Sequence, residues 1–123
     1  MLRYRLGVGA VAAVALVLVW TLPALAREGT RKGGTIAVTA GKPSEFRFTL
    51  SKRSVSKGAV TFTVTNKGAL THDFKIAGHL TKRIAHGKSA VLRVIFKKAG
   101  KYPYECTVPG HAAAGMKGVL KVT

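Results

Sequence analysis

The residues with the clearest chemical potential lie close together near the end of the sequence. Cys106, His111 and Met116 occur in the segment CTVPGHAAAGM, which has the pattern C-x4-H-x4-M. The chain contains 1 Cys, 4 His and 2 Met, so this arrangement is improbable by chance. A Pro-Gly pair and a further glycine allow the segment to form a tight loop. A thiol, an imidazole and a thioether on one loop predict a site for a soft metal ion.

Strand periodicity predicts that a second histidine joins this loop. Polar and apolar residues alternate in the segments 72–76, 101–106 and 116–122, as is typical of strands with one buried face. His72, Cys106 and Met116 each lie in the apolar row of their segment, so we expect the three rows to converge at one end of a sandwich. Taken singly, Met116 and His72 are better explained as ordinary core residues than as ligands.

The combined donor set selects the metal. Methionine is a poor ligand for zinc, magnesium or calcium, whereas two imidazoles and a thiolate with a weak axial thioether are the ligands of blue copper sites. Bound copper would also explain how a lone cysteine persists in an oxidising compartment. The sequence therefore predicts one copper ion.

The elements that must position these residues are all strands. Further alternating rows occur at 36–38, 46–50, 60–64 and 92–96, separated by turn-forming Gly, Pro and Asn residues. No apolar stripe of helical spacing follows residue 26. The pattern predicts an all-β fold, an antiparallel sandwich or barrel of seven or eight short strands.

The N-terminus has the composition of an export signal. Arg3 and Arg5 precede an uncharged apolar run at 6–22, and Pro23 and the segment ALA follow it. We expect a signal peptide at 1–26, or an uncleaved membrane anchor in the same place. A basic flexible linker at 27–34 and a single domain at 35–123 would follow. The domain would then lie outside the cytoplasm, in a periplasm, at the cell surface or secreted.

Residues 100–122, GKYPYECTVPGHAAAGMKGVLKV, together with THDF at 71–74, resemble the cupredoxin family of plastocyanin- and azurin-like type 1 blue copper proteins. The resemblance implies His72, Cys106 and His111 as equatorial copper ligands and Met116 as the axial ligand. It also implies a Greek-key antiparallel β-sandwich that transfers single electrons by cycling between Cu(I) and Cu(II).

One position departs from the family pattern. Many members have Asn directly after the first histidine ligand, where Asp73 stands here. We expect the Asp73 carboxylate to accept a hydrogen bond from the hydroxyl or backbone of Thr107 and so tie the two segments together. Its negative charge would favour Cu(II) and lower the reduction potential.

The charge balance bears on partners rather than on fold. The chain carries a net charge of +17, or +15 without Arg3 and Arg5. We expect a monomer that docks to acidic surfaces of redox proteins, and an anionic membrane surface is a second candidate partner. No nucleic acid is expected, because aromatic residues are not interleaved with the basic ones. We expect His111 to lie nearest the surface, among the small residues of its loop.

Two other functions remain open on sequence alone. The protein could exchange copper with a partner as a delivery protein, or it could be a basic exported anion-binding protein without metal. An enzyme is not expected, because no second histidine cluster and no nucleophile–base arrangement is visible.

Overall fold

The computed structural model describes residues 32–123 continuously, together with the isolated positions 7, 9, 10, 12, 13 and 15. The predicted signal peptide and the predicted linker up to residue 31 therefore lie outside the continuously described part of the chain. Among the described residues, no helix has the length and apolar character needed to cross a membrane.

Two sheets make up the described domain, which confirms the predicted all-β sandwich. The nine strands of this part of the chain are β1 Lys32–Ala40, β2 Phe48–Leu50, β3 Ser54–Val55, β4 Gly58–Asn66, β5 Lys75–Ile76, β6 His79–Leu80, β7 Ser89–Phe96, β8 Gly100–Glu105 and β9 Lys117–Val122. One sheet has the order β2-β1-β4-β7 and the other β3-β9-β8-β5-β6. The number exceeds the predicted seven or eight because β3, β5 and β6 are too short to produce an alternating pattern.

The pairing directions differ in part from the predicted antiparallel arrangement. β1 pairs with β4 in parallel, and so does β3 with β9, whereas the other pairs are antiparallel. Alternation in the sequence reports which face of a strand is buried, not the direction of its neighbour. Because the chain passes to the second sheet between β2 and β4, β4 returns alongside β1 in the same direction.

The first strand begins earlier than the predicted domain boundary. β1 starts at Lys32, so residues 32–34 belong to the sandwich rather than to the flexible linker. A Cβ atom on Gly33 would lie 2.6 Å from the Ser56 carbonyl oxygen and from a Val60 methyl group. Glycine therefore permits a close approach of two strands at this position.

The core explains how the sandwich supports the site. The alternating rows predicted from the sequence are buried, with Val60, Phe62 and Val64 fully inaccessible. Phe62 packs against Phe74, whose ring in turn contacts Tyr104. Cys106 and Met116 belong to the same continuous buried cluster. The candidate site is thus an extension of the apolar core.

The strand directions give the sandwich two distinct ends. β8 ends just before Cys106, β9 begins just after Met116, and β4 ends six residues before His72. All three therefore direct the chain to one end, here named the Cys106 end. The opposite end contains the start of β1, β4 and β8 and the last residues of β7 and β9.

Candidate metal centre

Three donor atoms from separate parts of the sequence meet at the Cys106 end. The Nδ1 atoms of His72 and His111 are 3.1 Å apart, and the Cys106 Sγ atom lies 3.9 Å from the former and 3.6 Å from the latter. His72 is fully buried and Cys106 is 1 % exposed. Within the described residues, these three form the group of His, Cys and acidic side chains that is close enough to hold a metal ion.

The triangle of donor atoms has the size that a transition metal requires. The circle through three points has a radius equal to the product of the sides divided by four times the enclosed area. For sides of 3.1, 3.6 and 3.9 Å, this radius is about 2.1 Å. Metal–imidazole bonds have the same length, and metal–thiolate bonds are slightly longer. The donor positions therefore fit a metal ion without rearrangement.

Backbone hydrogen bonds close the loop that supplies three of the predicted ligands. The Cys106 N–H donates to the Met116 carbonyl, and the Met116 N–H donates to the His111 carbonyl, both at 3.0 Å. The His111 N–H donates to the Val108 carbonyl. Met116 is fully buried in the cluster that contains Cys106. The structure thus brings the C-x4-H-x4-M residues together as one closed unit.

Arg47 fastens this loop to the neighbouring sheet. Its guanidinium donates to the Gly115 carbonyl at 2.9 Å, and a Cβ atom on Gly115 would overlap the guanidinium. Gly115 also has a φ of 110°, a conformation that favours glycine. The backbone turn therefore favours glycine before Met116, and a larger residue there would also displace the Arg47 guanidinium.

His72 is positioned from a different part of the chain. Its N–H and carbonyl pair with Ile84 in an isolated bridge. The buried Asn66 holds the preceding loop, because its amide donates to the carbonyls of Leu70 and Ile84 and its oxygen accepts from the Gly68 N–H. The approach to His72 is therefore fixed by a fully satisfied buried amide.

Glu45 is a functional residue that sequence reasoning missed. Its Oε1 atom lies 2.7 Å from His72 Nε2, and the two carboxylate oxygens accept the N–H groups of Ala69 and Leu70. A Cβ atom on Gly68 would lie 2.5 Å from the same Oε1 atom, so only glycine fits there. The carboxylate holds the Nε2 proton, which leaves the Nδ1 lone pair directed toward Cys106 and His111.

No sequence signal pointed to this role. The alternating row at 46–50 predicts one strand and gives the preceding residue, Glu45, no role at the site. In the structure β2 begins only at Phe48, and residues 45–46 form a turn. The turn carries Glu45 toward His72, while the Phe46 ring packs edge-on against His111.

The protonation states follow from the surroundings. Hydrogen bonds from the Ala69 and Leu70 backbones lower the pKa of Glu45 to about 2, so the group is charged at neutral pH. Burial, followed by the charge of nearby His72, lowers the pKa of His111 and favours its neutral form. Burial raises the pKa of the Cys106 thiol, although the N–H groups of Asp73 and Val108 act in the opposite direction.

Asp73 joins the two ligand-bearing segments. Its Oδ1 atom accepts the Thr107 N–H at 2.6 Å, and its Oδ2 atom accepts the Thr107 hydroxyl. The Arg83 Nε atom lies 3.2 Å from the same Oδ2 atom. The Asp73 N–H also approaches Cys106 Sγ at 3.5 Å. The backbone next to His72 is therefore tied directly to the residue after Cys106.

The burial of Asp73 corrects one detail of the expected strand. The pattern at 72–76 had put Asp73 on the face opposite His72, but both are buried and only residues 75–76 form a strand. The other two histidines, His79 and His86, are exposed and lie outside the donor cluster. His86 Nδ1 instead donates to the Gly68 carbonyl.

His111 is the donor nearest the surface, as expected. It is 8 % exposed, whereas the other three predicted ligands are at most 1 % exposed. Its loop exposes the small side chains of Pro109, Ala113 and Ala114, and the half-exposed Leu70 lies on the loop before His72. The site therefore reaches solvent through an uncharged patch.

The chain belongs to the cupredoxin-like domain family. The family model matches residues 10–122, which is nearly the whole sequence. Family, fold and donor set together define a site for one type 1 copper ion. No curated protein sequence matches the chain.

Solved structures share the fold at low sequence identity. Auracyanin B superposes with a TM-score of 0.64 at 23 % identity, over 75 % of this chain and 90 % of that one. Auracyanin A superposes with a TM-score of 0.61 at 22 % identity, over 74 % of this chain and 100 % of that one. It is described as a "blue" copper protein from the green thermophilic photosynthetic bacterium Chloroflexus aurantiacus. A multicopper oxidase superposes with a TM-score of 0.54 at 13 % identity, over 72 % of this chain and 43 % of the oxidase chain.

The carboxylates of Glu45 and Asp73 should each lower the reduction potential, because a nearby negative charge favours Cu(II) over Cu(I). Glu45→Gln and Asp73→Asn should therefore raise the potential, and Glu45→Gln should weaken copper binding by about 10–100-fold. Protein-film voltammetry and competition with a chelator measure these effects. Glu105→Gln is the matched control, because Glu105 precedes Cys106 but is exposed and faces Lys75 and Lys117. Equal potentials in the control and in both test variants would contradict the assignment.

Copper binding should release about one proton at pH 8, because the raised pKa keeps the Cys106 thiol protonated while histidines are ordinarily neutral there. The release should persist at pH 9, the ordinary pKa of the thiol, and disappear as the pH exceeds the raised value. Calorimetry in buffers of different ionisation enthalpy measures it. Cys106→Ala should abolish it, and wild-type binding without proton release at pH 8 would refute the scheme.

Proposed function

We propose that this protein is an exported blue copper protein that carries single electrons between redox partners. The observation that carries the proposal is the closed triangle formed by the Nδ1 atoms of His72 and His111 and the Sγ atom of Cys106. These three residues would be the equatorial ligands, with Met116 as the axial one. When bound, the copper ion would supply the one-electron Cu(I)/Cu(II) couple.

Rigid support of the donors favours electron transfer. A carrier reacts fastest when its site changes little between oxidation states, so the protein must hold the donors in one arrangement. Glu45 fixes the ring of His72, and Asp73 ties its backbone to Thr107. The loop hydrogen bonds hold Cys106, His111 and Met116. Each predicted ligand is therefore held by at least one hydrogen bond that does not involve the metal.

Retention of copper is favoured over delivery to a partner. A delivery protein must present its metal to a competing set of ligands, which requires accessible donors. Here Cys106 and Met116 are buried, and only the edge of His111 reaches solvent. A partner could not reach the thiolate without opening the loop between Cys106 and Met116.

A carrier also agrees better with the site than an enzyme. Within residues 32–123, His72, Cys106 and His111 form one cluster of metal-binding side chains, and none of them is more than 8 % exposed. The similarity to a multicopper oxidase concerns the fold and covers less than half of that chain. The chain would then hold a single copper ion that exchanges electrons through its surface.

The patch beside His111 would be the site of electron exchange. It is uncharged and small, which suits brief encounters with redox partners. Exposed cations such as Lys42, Lys67 and Lys82 lie on loops at the same end and would attract an acidic partner surface. The N-terminal sequence at 1–26 supports export to a compartment where such partners occur.

The function is tested by loading the protein with one equivalent of Cu(II), beside Cys106→Ala as the control. We expect an intense blue absorption band that the control lacks, because the band requires a copper–thiolate bond. Repeated chemical reduction and reoxidation should bleach and restore the band without loss of copper. Loss of Cu(I) to a chelator in the first cycle would support delivery, and a colourless sample would refute a blue copper site.

A further inference from the structure

The end of the sandwich opposite Cys106 exposes basic residues without any acidic residue among them. This basic end carries seven Lys and Arg side chains, all exposed: Lys52, Arg53, Lys57, Lys97, Lys98, Lys101 and Lys121. The sheet register brings them together, since Gly58 pairs with Phe96, and Lys101 with Lys121. Lys57 is joined to Thr123 by a backbone hydrogen bond.

No acidic residue of the described chain balances this charge. Glu45, Asp73 and Glu105, the three acidic residues between 32 and 123, all lie toward the Cys106 end. Glu45 and Asp73 are engaged by His72, Thr107 and Arg83. None of the seven basic side chains forms an ion pair within residues 32–123.

Such crowding of like charges opposes folding. Lys101 and Lys121 are direct cross-strand neighbours, an arrangement that destabilises a sheet when both residues carry the same charge. An anionic surface placed against this end would remove the repulsion. Because all three carboxylates between residues 32 and 123 lie toward the other end, this repulsion is uncompensated, which points to a binding surface.

The course of the chain indicates what lies on this side. β1 begins at the basic end, where Lys32 is opposite Ala59. The preceding sequence contains Arg27 and Arg31 and, further toward the N-terminus, the uncharged apolar run at 6–22. Nine residues, 23–31, connect this run to β1, so a bilayer that received the run would lie within roughly 30 Å of the basic end.

We propose that the basic end binds the surface of an anionic phospholipid membrane, and that this orientation directs the Cys106 end away from the bilayer. Each Lys or Arg near an anionic surface adds to the attraction, so the contributions of seven such residues on one end add up. β1 and β4 span nine residues each, which separates the two ends by roughly 25–30 Å. Membrane binding and partner docking would then use opposite ends of the domain.

The test compares two variants of the full chain with equal charge. One carries Lys97→Gln, Lys98→Gln, Lys101→Gln and Lys121→Gln at the basic end. The control carries Lys42→Gln, Lys67→Gln, Lys82→Gln and Lys88→Gln, four exposed residues toward the Cys106 end. Sedimentation with phosphatidylcholine vesicles, with and without phosphatidylglycerol, measures the gain in affinity due to anionic lipid. Insertion of the N-terminal segment would contribute to binding of both kinds of vesicle. Its contribution therefore cancels when the affinity for neutral vesicles is subtracted.

We expect the gain in affinity due to anionic lipid to fall by more than about tenfold in the basic-end variant and by less than about twofold in the control. The gain in the unaltered protein should decline with added salt. Equal losses in the two variants would overturn the proposal, because the attraction would then be diffuse. If phosphatidylglycerol gave the unaltered protein no gain in affinity, the proposal would also be overturned. The basic end would then be left to bind another partner, such as an acidic protein. The blue band of copper-loaded samples and the circular dichroism spectrum verify that each variant is folded.

Discussion

The burial of a thiol and two imidazoles at one end of an apolar core is the constraint on which the rest of the structure depends. Polar groups removed from water are unfavourable unless they are hydrogen-bonded or bind a metal. Here the hydrogen bonds to these groups come from their outer sides, through Glu45 on His72 and the Asp73 N–H on Cys106. The donor atoms are thereby left directed at one another, with a space between them that suits a copper ion.

This constraint also explains the placement of the acidic residues. Two of the three carboxylates between residues 32 and 123 are used near the donor atoms, where they position side chains and offset the positive charge of a metal ion. Almost nothing acidic remains to balance the cations on the surface. The surface cations therefore remain largely unpaired because most of the few carboxylates are used at the site.

The local part of the site could be predicted from the sequence because its residues lie on one short loop. The spacing of Cys106, His111 and Met116 requires only that the loop close on itself, and the alternating rows fixed which residues are buried. Glu45 could not be found in this way, because its contact with His72 depends on a turn that interrupts an apparently continuous alternating pattern. The parallel pairing of β1 with β4 was missed for a similar reason, since periodicity carries no information on direction.

The most direct test of the account is X-ray absorption spectroscopy at the copper edge on the Cu(II) and Cu(I) forms of the full chain. The account predicts one short copper–sulfur distance and two copper–nitrogen distances typical of imidazole, with little change between the two oxidation states. The sulfur contribution should be lost in Cys106→Ala. A spectrum without a short sulfur distance, or a large change in coordination on reduction, would contradict the central claim that this chain holds a preformed electron-transfer site.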